Sequence, residues 1–207
     1  MEKLPGIGPR QASRFIWAMI DFAPQEKKKL SELIDSLDQY LARCNECFRV
    51  FNVKASQDAN FSRLSRFCGF CHTNSKRNRA KIMVVEKDSD LLNIEKSGAY
   101  NGLYYVLGGV VDALNEELAV RERIKQLHAR IQKTPGVRNE ISGRMPGVEI
   151  ILALSPSKLG EFTGNYISKV LEPLNVKITR LGRGLATGTD LEYADETTIR
   201  QALDNRK

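Results

Sequence analysis

The 207-residue sequence lacks several things, and each absence removes a class of protein. Its purely apolar runs, such as Ile150–Leu154, are a fraction of the roughly 20 residues that a membrane-spanning helix needs. No apolar segment follows the N-terminus, where Met1-Glu2-Lys3 leads straight into Leu4-Pro5-Gly6. A secretory leader is therefore not expected, and the cytoplasm is the expected compartment. There is no internal repeat and no low-complexity tract. Histidine is confined to His72 and His128, and cysteine to four residues, all between positions 44 and 71.

What remains is a soluble globular composition, 42% hydrophobic and 28% charged, in a chain long enough for one ordinary domain with one or two small modules. The formal charge of +7 is unevenly spread. Residues 1–80 hold 14 Lys/Arg against 8 Asp/Glu, whereas residues 81–207 hold 18 against 17. A phosphate polymer is a natural partner for such a basic segment, since each neutralised phosphate releases counterions, although a solvated basic surface would have the same composition.

Residues 1–43 read as short helices, 44–71 carry the cysteines, and 72–80 form a basic linker. From Lys81 onward, apolar strands rich in branched residues (Ile82–Val85, Leu103–Leu107, Val148–Leu154, Val176–Leu181) alternate with helical stretches near Ser89–Lys96, Asp112–Lys133 and Lys158–Leu174. This rhythm predicts an α/β fold with a parallel sheet covered by helices. Within 112–133, Leu114, Leu118, Ile124, Leu127 and Ile131 sit near helical spacing, which suits a helix packed on the sheet or one that binds a partner. The two Pro-Gly pairs of Thr134–Gly147 predict a loop. Asp195 is placed to cap a last helix carrying Ile199 and Leu203.

Cys44-x-x-Cys47 and Cys68-x-x-Cys71 form the strongest motif. Each pair can put two thiolates on one ion, and four complete the tetrahedron of a closed structural Zn²⁺ site. Disulfides are disfavoured in a chain without a leader, and a redox pair would not need a second pair. A site filled by four protein ligands leaves no position for water, so the ion should fold the module and not catalyse. His72 reads as a neighbour of Cys71 and not as a ligand.

In Leu4-Pro5-Gly6-Ile7-Gly8-Pro9-Arg10, two glycines allow a tight turn and Pro9 suits the first position of a helix. Helix N–H groups then point at the turn, where Gly6 and Gly8 can approach a phosphate and Arg10 and Arg14 add charge from one helical face. These residues resemble a helix-hairpin-helix motif, which implies sequence-independent binding to the DNA backbone. A turn that merely starts a helix could use the same residues. Ile16, Trp17 and Ile20 are expected in the core.

Ile82-Met83-Val84-Val85-Glu86 is an apolar strand ending in a carboxylate. With Leu152-Ala153-Leu154-Ser155-Pro156-Ser157 and Glu161, it resembles a Toprim domain. In active members a strand-end Glu and an Asp-x-Asp pair hold Mg²⁺; Glu86 matches the Glu, but Ser155 and Ser157 stand at the Asp positions. Two hydroxyls do not replace two anions around a hard dication. Glu86 and Glu161 are then expected to cap turns or face a protein partner.

The order helix-hairpin-helix (1–43), four-cysteine zinc finger (44–71), Toprim domain (80–184), Gly-rich turn and helix (185–207) is similar to that of the bacterial RecR family. The tail Gly184-Leu185-Ala186-Thr187-Gly188-Thr189-Asp190-Leu191-Glu192-Tyr193-Ala194-Asp195 carries the same resemblance. It implies a non-enzymatic scaffold of recombinational repair that assembles as a tetrameric ring through its terminal segments. It further implies work beside RecO-like and RecF-like partners to load recombinase at single-strand gaps. Three features depart from the family pattern. Only three residues precede Leu4, where a helix is usual. The cysteine pairs are spaced widely, so a longer loop is expected over Phe48–Phe67. A charged segment, 110–147, replaces a Gly/Pro/Ser-rich loop. The alternatives are a Mg²⁺-dependent Toprim nuclease or primase-like enzyme, and a zinc-ribbon regulator that reads base edges.

Overall fold

The computed structural model describes residues 7–53, 67–72, 75–112, 118–133, 148–174, 176–182, 184–185, 188, 192 and 194–204. They divide into two compact units, one within Met1–Ala42 and Phe51–Phe61, the other within Arg43–Val50 and Ser62–Lys207. The predicted loop 134–147, Leu114, Gly6 and most of the Phe48–Phe67 loop lie outside the described residues.

The first unit holds α1 (Pro9–Ile20), α2 (Pro24–Asp35) and the single turn α3 (Leu37–Tyr40). Pro9 and Pro24 open their helices at the one place where a missing N–H costs no hydrogen bond. Glu26 reaches back to the Ala23 N–H at 2.8 Å, and Lys27 Nζ donates to the Ile20 carbonyl at the end of α1, also at 2.8 Å. Both satisfy backbone groups that a helix end leaves open. Among the described residues of this unit only Ala12 and Phe51 are buried. Ile16, Trp17 and Ile20 therefore do not form its core, contrary to expectation; Trp17 is 65% exposed. Two short helices and a turn offer too little surface to cover them. Two short strands, β1 (Leu41–Arg43) and β2 (Val50–Asn52), pair with each other.

The second unit is built on a four-stranded parallel sheet, β3 (Asn78–Val85), β4 (Gly102–Val106), β5 (Glu149–Ala153) and β6 (Lys177–Arg180), in the order β4-β3-β5-β6. Between the strands lie α4 (Asp88–Ser97), α5 (Leu118–Lys133) and α6 (Lys158–Leu171), and α7 (Glu196–Asp204) closes the chain. Ile82 and Val84 on β3, Leu103 and Tyr105 on β4, and Ile150 and Leu152 on β5 face one side, against α5 and α6. Met83, Val85, Tyr104 and Val106 face the other, beside Leu91 of α4. Burial on both sides explains why these strands read as continuous apolar runs. None of the described helices is long and apolar enough to cross a membrane.

Of the two roles open to residues 112–133, packing on the sheet is the one observed: Val120, Ile124, Leu127 and Ile131 are buried in the sheet's core. Leu118, expected on that face, is 70% exposed. It lies six positions before Ile124, about 600° around the helix and so a third of a turn off the stripe, whereas Val120 completes it. Ile124→Ala should therefore cost about 3 kcal/mol and Leu118→Ala under about 0.5, measured by urea denaturation. Equal costs would contradict this register. At the last helix, Asp195 caps as expected, accepting the Thr198 N–H at 3.0 Å and its hydroxyl at 2.7 Å.

Candidate metal centre and strand-end site

All four cysteines belong to the second unit and are buried, and their sulfurs lie within 4.8 Å of one another. Cys47 Sγ and Cys68 Sγ are 3.6 Å apart. A tetrahedron of thiolates about 2.3 Å from a central ion requires sulfurs about 3.8 Å apart, so the cluster has the size of a metal site. Local backbone sets this up. Phe48 N–H bonds the Cys44 carbonyl at 3.0 Å, and Phe48 takes φ 61° to turn the chain. Cys71 and His72 N–H both bond the Cys68 carbonyl, at 3.0 and 3.1 Å, and the Cys68 N–H donates to Cys44 Sγ at 3.4 Å. The group of four does not include His72.

Four thiols this close cannot ionise independently. Hydrogen bonds with Cys47, Cys68 and Cys71 hold Cys44 well below the ordinary thiol range, while bonding to Cys44, Cys68 and Cys71 pushes Cys47 well above it. Only a cation at the centre makes four thiolates stable together. The donor set fits a metal ion, and elsewhere among the described residues no three of His, Cys, Asp and Glu converge.

The cysteine ribbon straddles the edge strand β4. The Cys47 carbonyl accepts the Val106 N–H at 2.8 Å. On one face Phe48 meets Tyr105 edge-on, with centroids 5.5 Å apart; on the other Phe70 meets Tyr104 at 5.9 Å. Phe70 is flanked by two guanidiniums, Arg49 at 3.9 Å and Arg77 at 3.8 Å from its centroid. Arg77 grips Glu95 of α4 through two nitrogens, one at 3.1 Å, and also donates to the Gly102 carbonyl at 2.9 Å. Sequence reasoning missed Phe48, Phe70, Arg49 and Arg77. The only available signal was that aromatic and basic residues crowd the two cysteine turns.

Burial pushes the Glu95 carboxyl up, but hydrogen bonds from Arg77 and from Tyr104 Oη (2.6 Å) outweigh it and hold the group below its ordinary range. A depressed carboxylate stabilises the fold above its unfolded value, and that contribution disappears as pH falls through the folded value. Glu95→Gln should thus cost roughly 1–3 kcal/mol at pH 7 and progressively less in acid, seen as a narrowing gap in melting temperature. A gap independent of pH would mean that the carboxylate contributes no charge interaction.

The carboxyl ends of β3 and β5 form a second locus. The connections leave these neighbouring strands toward opposite faces of the sheet, the switch point beside which α/β folds bind ligands. Glu86, 8% exposed, follows β3 and accepts the Ser155 N–H at 2.6 Å. Ser155 and Ser157 hydroxyls are 2.9 Å apart, and Ser157 caps α6 by accepting the Gly160 N–H at 3.1 Å. Gly160 is needed here because a Cβ would lie 2.1 Å from the Ser155 carbonyl oxygen. Glu161, in the first turn of α6, pairs with Arg180 at 2.6 Å. The strand-end locus thus holds hydroxyls and two carboxylates that are already engaged.

In the first unit Gly8 is the N-cap of α1, and Arg10 and Arg14 stand one turn apart on its exposed surface. The cysteines come together, the two serines meet over Glu86, and Arg10 and Arg14 share a helix.

Residues 80–182 match the family model of the Toprim domain, and residues 184–207 match that described as RecR, C-terminal. The sequence is 35% identical over 211 residues to Recombination protein RecR of Carboxydothermus hydrogenoformans, covering 100% of this chain and 92% of that relative. It is 35% identical over 205 residues to the protein of the same name from Dehalococcoides mccartyi, covering 99% of the chain and 89% of the relative. To that of Lactobacillus johnsonii it is 35% identical over 204 residues, with 99% and 91% covered.

Proposed function

Because the chain belongs to the RecR family of recombination proteins, we propose that it is a DNA-binding scaffold of recombinational repair that breaks no bonds itself. Residues 1–43 serve as a helix-hairpin-helix module, with Gly6, Gly8, Arg10 and Arg14 on the phosphate backbone and no reading of sequence. Residues 44–71 hold a structural zinc on Cys44, Cys47, Cys68 and Cys71. An all-thiolate tetrahedral set suits Zn²⁺, and its closed shell supplies folding energy and no open position for chemistry. Residues 80–184 form the Toprim domain, and 185–207 an assembly segment.

The exposed apolar face of α1, with Phe15, Ile16, Trp17 and Ile20, supports assembly from copies of this chain, here into a tetrameric ring. RecO-like and RecF-like proteins are the partners, and loading of recombinase at single-strand gaps is the outcome. Glu161 with Arg180 faces such a partner, while Glu86 holds the loop beneath. The protein works in the cytoplasm on the nucleoid.

The observation that carries the non-enzymatic reading is Ser155 and Ser157 standing where an active Toprim enzyme has its paired acids, with Glu86 bonded to the Ser155 N–H. Two scattered carboxylates make a poor site for a hydrated dication. The test is DNA binding across a salt series with Mg²⁺ present and the products run on a gel. Salt-sensitive binding to unrelated sequences, with the DNA intact, is expected. Cleavage that disappears in Glu86→Ala would establish the enzyme instead.

A further inference from the structure

A four-thiolate site filled by a dication carries a net charge of about −2, and burying such a charge is costly unless something offsets it. Among the described residues, a cation that comes to these cysteines belongs to neither cysteine pair. Arg130, near the end of α5, sends its guanidinium onto the ribbon with its side chain only 13% exposed. Nη2 lies 3.9 Å from Cys71 Sγ, Nη1 donates to the Glu46 carbonyl at 2.8 Å, and Nε meets the Glu46 carboxylate at 3.1 Å. Glu46 lies between the first two cysteines and Cys71 ends the second pair, so one guanidinium spans both halves of the site. The Tyr105 ring, 6.0 Å from Cζ, backs it on the sheet side.

We infer that Arg130 is the outer-sphere cation of the metal centre, a positioning residue supplied by a helix of the sheet. Its charge offsets that of the loaded thiolates, and its two hydrogen bonds and one ion pair tie the ion's retention to the docking of α5. The inference rests on the zinc reading proposed above. Coupling of this kind is reciprocal: whatever tightens α5 against the ribbon tightens the metal by the same factor. A purely structural Arg130–Glu46 pair would predict something different, namely that Glu46→Gln and Arg130→Met weaken the metal alike. An outer-sphere role predicts that only loss of the cation does so.

The test uses the full-length chain. Its metal content is measured first, and then Zn²⁺ and Co²⁺ affinities by competition with a chromophoric chelator. Arg130→Met should lower affinity about 10- to 100-fold and shift the thiolate-to-cobalt charge-transfer band, and Arg130→Lys should restore part of the loss. Glu46→Gln should stay within about threefold of the parent protein, and so should Lys125→Met, which removes an exposed cation of α5 that pairs with Glu122 of the same helix. Unchanged affinity in a folded Arg130→Met protein overturns the inference, and so does an equal loss in either control. A parent protein without metal would instead remove the zinc reading. Should Arg130→Met fail to fold, hydrogen exchange of the parent protein decides. Stripping the ion should speed exchange across residues 120–133, and unchanged exchange there overturns the proposal.

Discussion

Cys68→Ser should leave a chain that holds no stoichiometric metal and melts at least about 10 °C below the parent, with low soluble yield. The size follows from two comparisons. Structural zinc contributes about 10–16 kcal/mol to folding in small zinc peptides at neutral pH, whereas a whole domain is stable by only about 5–15. The site is also not a detachable appendage. The Cys68 carbonyl organises the turn carrying Phe70, and Phe70 and Phe48 pack on the two faces of β4. Loosening the ribbon therefore loosens Tyr104 and Tyr105 in the sheet. Metal content, thermal unfolding and near-ultraviolet circular dichroism together read this out. A metal-free mutant with the parent's melting temperature and tyrosine signal would show that the four cysteines merely pack.

The second large effect belongs to α1. Replacing both Arg10 and Arg14 by alanine should reduce the slope of log K against log salt by about 2 on duplex DNA and somewhat less on single strands, since each phosphate contact contributes about 0.9 or 0.7. Binding at moderate salt should fall for every sequence alike, because backbone contacts carry no base information. Both side chains are exposed on a helix whose core contact is made by Ala12, so the double variant should stay folded. Unchanged affinity and slope would remove the hairpin from the DNA interface and turn attention to the basic linker 72–80.

The sheet was readable because burial on both faces forces continuous apolar strands, and the metal cluster was readable because two thiolates on one ion need a short spacing. The cap at Asp195 follows an equally local rule, whereas the Ser157 cap, set by the same rule, was not read from the sequence. What else escaped was set by distant packing. Ile124, Leu127 and Ile131 are legible at helical spacing, but Leu118, a third of a turn off their stripe, passes for part of it in place of Val120. Ile16, Trp17 and Ile20 look like core residues by composition alone, and only the small size of their unit leaves them uncovered. Arg130 is one of many charges on an amphipathic helix. Its approach to Cys71 depends on an intervening fold, which no motif encodes.

The reach of that arginine also orders events during synthesis. Eighty-four residues separate Glu46 from Arg130 along the chain. Cys71, the last of the four sulfurs, precedes Arg130 by 59 residues, so at ordinary translation speeds of about 5–20 residues per second the full set of cysteines leaves the ribosome roughly 3–12 s before the arginine that clasps it. An ion caught early is held at first by sulfur alone, open to exchange with competing thiols and chelators. Only when β4 has joined its neighbours and α5 has settled can Arg130 reach Cys71, so on this proposal an ion caught early exchanges more readily than one caught after the helix has docked.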